Sequence, residues 1–62
     1  MKLTFDANNS EAIMRLLVEK EGFNLDCFDS DTTMNISNDL DDIATVVNTL
    51  TKHRFKFTLS TS

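Results

Sequence analysis

The sequence predicts an α+β fold of the ferredoxin-like, split β-α-β-β-α-β type. It has a four-stranded antiparallel sheet in the order 4-1-3-2 and two helices on one face. Three observations carry this expectation. A strand–helix–strand pattern occurs twice: Lys2–Asp6, Asn9–Glu21 and Phe23–Phe28, then Thr32–Ser37, Asp39–Thr51 and Arg54–Leu59. The strand segments alternate apolar and polar residues, which suits a sheet with one covered face and one open face. The two copies meet at Asp29-Ser30-Asp31, whose short polar side chains satisfy a tight turn and predict a hairpin.

In the first strand Leu3 and Phe5 face inward and Lys2, Thr4 and Asp6 outward. Ala7-Asn8-Asn9-Ser10 breaks that period, and Asn8 followed by Glu11 has the spacing of a capping box. The first helix turns Ile13, Leu16, Leu17 and the stem of Lys20 to the core, and Gly22 stands where a left-handed residue closes a helix. The second strand puts Phe23, Leu25 and Cys27 inward and Phe28 on the open face or rim. The third puts Met34 and Ile36 inward. Asp39, Asp41 and Asp42 suit the positive end of the second helix, and Lys52 and His53 its negative end. That helix keeps Leu40, Ile43, Ala44, Val47 and Leu50 at helical spacing, and the last strand alternates Phe55, Phe57 and Leu59 inward with Arg54, Lys56 and Thr58 outward.

A chain of 62 residues fits a single compact domain, residues 1–62. A domain of that size buries only about 60% of its unfolded surface, so disulfides, metals or association commonly support it. Cys27 is the sole cysteine, and with His53 the sole histidine no zinc spacing arises. Association is then the expected support. No apolar run approaches a membrane span or a leader segment, and with the single thiol this predicts a cytoplasmic protein. Net charge is −4, from ten acids and six bases, which disfavours phosphate backbones and favours basic partners.

Chemical motifs are weak. Asp29-Ser30-Asp31-Thr32-Thr33 resembles the nucleophile loop of haloacid dehalogenase-type phosphatases over those five residues. Such enzymes need a larger domain with a lysine and later acids, so a turn is the expectation, with a metal-dependent site at Asp29 and Asp31 a lesser reading. An EF-hand starting at Asp29 fails, because Met34 holds the glycine position and Leu40 the glutamate position. His53 is placed near Asp6, Asp29 and Asp31 without an oriented nucleophile. No catalytic residue, cofactor or metal is assigned, and the protein is not expected to be an enzyme.

Lys52, Arg54 and Lys56 form a possible basic contact, but the central strands offer no outward aromatic on which bases could stack. The acids Asp26, Asp29 and Asp31 and the acids Asp39, Asp41 and Asp42 fall into two groups, which weakens a DNA-mimic reading. The surplus is apolar: Met14 and Val18 widen the stripe of the first helix, Val46 flanks that of the second, and Phe28 leaves the core face. These four residues are the expected interface. The expected function is a small acidic protein–protein interaction module, a regulator or inhibitor of the phage or mobile-element accessory type. It would bind a larger protein, itself, or both; a nucleic-acid-binding or DNA-mimic regulator is the alternative.

Overall fold

The computed structural model describes residues 1–61. Strand β1, Lys2–Phe5, leads through a 3-10 turn at Ala7–Asn9 into helix α1, Ser10–Arg15, which continues as a π-helical segment, Leu16–Lys20. After a 3-10 turn at Leu25–Cys27 come strand β2, Thr33–Asn35, helix α2, Leu40–Lys52, and strand β3, Phe57–Ser60. The sheet has three strands in the order β2-β1-β3, and β1 is antiparallel to both neighbours.

The four-stranded ferredoxin-like expectation is therefore wrong: Phe23–Phe28 does not form a strand, and the sheet has three strands. The other three expected strands lie in the expected order, the first between the third and the fourth and antiparallel to both. The loss of the strand has a local cause. The Asn24 side chain accepts a hydrogen bond from the Asp26 N–H at 2.9 Å, and the Cys27 N–H bonds back to the Asn24 carbonyl at 3.0 Å. An asparagine side chain thereby offers the backbone an alternative to a ladder, and the segment curls into a 3-10 turn. Of the expected hairpin there remains one bridge, Phe28 to Met34, and a bend in which the Asp29 N–H donates to the Thr33 carbonyl at 3.0 Å. The path of the chain keeps the direction of the remaining pairing: Phe23–Phe28 returns it to the Phe5 end of β1, where Thr33 lies opposite Thr4, so β2 enters antiparallel.

The helix ends show which side chains direct the chain. Asp6 caps the first 3-10 turn through the Asn8 N–H, whereas Asn9 at the start of α1 makes no side-chain cap bond, so the capping box from Asn8 is not formed. Asp39 caps α2 by accepting from the Asp41 N–H at 2.9 Å. Gly22 takes φ +80 and turns the chain out of the π segment, with the Phe23 N–H reaching the Leu17 carbonyl at 3.0 Å. Helix α2 ends in a Schellman arrangement: Phe55 N–H to the Leu50 carbonyl at 2.9 Å and Arg54 N–H to the Thr51 carbonyl at 3.0 Å. The left-handed residue in that motif is Arg54, at φ 61.

The core is Leu3, Phe5, Ile13, Leu17, Met34, Ile36, Val46 and Leu50, with Phe23, Cys27, Phe28, Ile43, Phe55, Phe57 and Leu59 packed around it. Alternation along β1 and β2 places Leu3, Phe5, Met34 and Ile36 on the covered side, as their period requires. Helix α2 is rotated from the expected stripe. Leu50 is fully buried and Ile43 packs against the core as expected, but Val46, expected on the flank, is fully buried as well, Ala44 is exposed, and Leu40 is 80% exposed at the first helical position.

Candidate functional site

Helix α1 carries the apolar surface that the core does not use. Ile13 and Leu17, four residues apart, point straight into the core. Met14 and Val18 each follow one of them, about 100° further round the helix, and lie on one flank. Leu16 precedes Leu17 and lies on the other. All three are half-buried, and none belongs to the set packed against the core. The change to π-helical bonding at Leu16 widens the turn, which shifts the side chains that follow relative to a regular stripe.

A shallow depression of about 370 Å³ follows this second flank, lined by Ala12, Arg15, Leu16, Glu19 and Lys20. Arg15 spans its outer side, 3.4 Å from Glu11 and 3.5 Å from Glu19. These pairs are exposed, so they organise the surface more than they stabilise it. A second hollow of about 230 Å³ continues from Leu16, Lys20 and Glu21 to Asn48, Thr49, Lys52 and His53 of the α2 end. His53 is held there by two contacts. Its Nδ1–H donates to the Thr49 carbonyl at 3.0 Å, since a carbonyl can only accept, and its ring stacks on Phe55 at 6.2 Å.

The four expected interface residues part company. Val46 is a fully buried core residue, because α2 turns its Val46–Leu50 ridge to the sheet. Phe28 packs against the core edge-on to Phe5, ring centroids 6.3 Å apart. Both corrections have the same origin: residues assigned to a face by counting follow the face that the helix phase and the bent return segment impose. Met14 and Val18 remain on the surface flank. Leu25, expected inward, is 58% exposed because the Asn24 turn breaks the alternation that would have buried it. Neither the half-exposure of Leu16 nor the outward position of Leu40 and Leu25 had a signal in apolar periodicity; Asn24 beside Leu25 was the available clue.

Lys52, Arg54 and Lys56 are exposed around the end of α2, and no carboxylate pairs with them among the described residues. Arg54 and Lys56 precede β3, so they do not project from a strand as expected. The acids have local partners. Asp29 accepts from the Asn35 amide at 2.9 Å through both oxygens, and Asp42 accepts from the Ser37 hydroxyl at 2.8 Å. Among the described residues no group of three or more His, Cys, Asp or Glu side chains could hold a metal ion, so Asp29, Asp31 and His53 do not converge. Among the described residues no helix is long and apolar enough to cross a membrane. No family model, curated protein or solved structure matches this chain.

Proposed function

We propose that the protein is a small acidic interaction module, a regulator or inhibitor that acts by binding a larger protein through the outer side of α1. The observation carrying this reading is the split within one helix: Ile13 and Leu17 are fully buried, whereas Met14, Leu16 and Val18 keep apolar area at the surface outside the core. In a domain so small, apolar area left beside the core is stabilised most by a partner that covers it. The −4 charge suits a partner whose rim is basic.

The test is affinity capture from the producing cells with three baits: the wild-type chain, Val18→Asp and Met14→Lys, each checked for native circular dichroism. A protein retained by the wild type and lost by both folded variants supports the α1 flank. Equal capture by all three, or none by any, defeats it. Nucleic-acid binding stands second, on the cations Lys52, Arg54 and Lys56, which no carboxylate pairs among the described residues. It requires retention on nucleic acid that falls steeply with added salt.

A further inference from the structure

Among the described residues the sheet has one bare edge, and its hydrogen-bond parity can be worked out residue by residue. In an antiparallel ladder a residue's N–H and C=O point to the same side, and successive residues alternate sides. Phe5 donates to the Thr32 carbonyl, and the Ile36 N–H donates to the Met1 carbonyl, so Met1, Leu3 and Phe5 face β2 with their backbone groups. Lys2 and Thr4 then face β3, where their partners are Ser60 and Thr58. The backbone groups of Phe57 and Leu59 therefore point away from the sheet.

The opposite edge is closed. Thr33 receives the Asp29 and Ser30 N–H groups at 3.0 and 3.4 Å, and Phe28 bridges Met34. Edge strands are ordinarily protected by a proline, a bulge, a charge within the strand or a covering segment. Phe57-Thr58-Leu59-Ser60 contains no charge, proline or glycine. Phe57 and Leu59 are half-buried on the core side, and Thr58 is exposed on the open face.

We propose that a second copy of this chain pairs with this edge, β3 against β3 in antiparallel register about Thr58, joining two three-stranded sheets into one. This register is self-complementary. Phe57 of each copy lies opposite Leu59 of the other, and both residues present the outward N–H and C=O that the pair requires. Each half-buried apolar side chain meets one of the other copy on the core side, the kind of cross-strand pair that stabilises sheets. Lys56 falls opposite Ser60, so the two copies of Lys56 stand four residue steps apart, about 13 Å along the strand. That exceeds the screening length of about 8 Å at physiological salt, so the like charges do not oppose pairing. Because the other sheet edge is covered, the assembly closes at two copies. The proposal uses no residue of α1 and stands whether or not that helix binds a partner.

Sedimentation across a concentration series tests it. The expected result is a concentration-dependent dimer for the wild type. Thr58→Lys is expected to be monomeric with unchanged circular dichroism, since exposed Thr58 would bring two lysines directly opposite each other. A chain assembled by chemical synthesis with an N-methyl group on Leu59 supplies a second, independent test. It keeps the side chain, removes one outward donor, and is expected to remain folded and monomeric. A wild type that stays monomeric at the highest concentration, or a folded Thr58→Lys or N-methyl-Leu59 chain that still dimerises, overturns the proposal.

Discussion

Replacing Arg54 by glycine should relieve backbone strain that alanine at the same place would keep, and the size of the gain can be worked from the backbone. Arg54 holds φ 61 at the left-handed position that ends α2. A side chain in that conformation costs about 1–2 kcal/mol, which glycine does not incur. Glycine in turn gives up about 0.5–1 kcal/mol through its freer unfolded chain. The net gain is then about 0.5–1 kcal/mol. No folded contact is lost to offset it, because Arg54 is exposed and makes neither ion pair nor side-chain hydrogen bond among the described residues. Removing a cation beside a helix C-terminus does weaken the dipole interaction, by about 0.3–1 kcal/mol. Arg54→Ala separates the two effects, since it loses the same charge and keeps the strained φ. The glycine chain should therefore exceed the alanine chain by about 0.5–1 kcal/mol, or roughly 2–8 °C in Tm for a domain of this size. Urea and thermal denaturation followed by circular dichroism measure this directly. A glycine chain no more stable than the alanine chain would refute the strain argument and the Schellman geometry with it.

Two further substitutions probe the core and the broken strand. Leu50→Ala removes a fully buried side chain and should cost about 3 kcal/mol, against about 1 kcal/mol or less for Met14→Ala on the half-buried flank; chemical denaturation of both chains tests the contrast. Since a domain of this length holds on the order of 3–9 kcal/mol, the first change should unfold a substantial fraction of molecules near body temperature, visible as lost amide dispersion in NMR spectra. Asn24→Ala removes the acceptor of the Asp26 N–H and should destabilise by about 1 kcal/mol in urea melts; an unchanged midpoint would show that this turn does not hold the return segment.

Much of the local structure was legible from residue order. Two-residue alternation placed Leu3, Phe5, Met34 and Ile36 on the buried face, because a strand's side chains can only alternate. Three candidate caps, Ser37, Asn38 and Asp39, before an acidic first turn marked the start of α2, where Asp39 is the cap, and Gly22 marked the end of the first helix. The candidate surface was half legible. Met14 and Val18 stayed on the flank of α1, while Val46 and Phe28 joined the core or its margin. A helix with an apolar arc wider than the ridge it can bury does not reveal which ridge will face the sheet. Leu40, Ala44 and Val47 competed with Val46 for the place beside Ile43 and Leu50, and the docking of α2 decided for Val46.

By itself, then, the sequence determined where helices begin and end and which residues of β1 and β2 turn inward, since caps, glycine and alternation act within a few residues. Only the tertiary structure decided how many strands pair. Phe23–Phe28 carries a strand's alternation, but Asn24 offers its backbone local hydrogen bonds, and one bridge to Met34 is all the pairing that survives. A ladder exists only when another strand lies alongside, so the number of strands depends on the whole path of the chain. The same path left the outer edge of β3 open and put Phe57 and Leu59 there, a placement that no pattern within those residues could disclose.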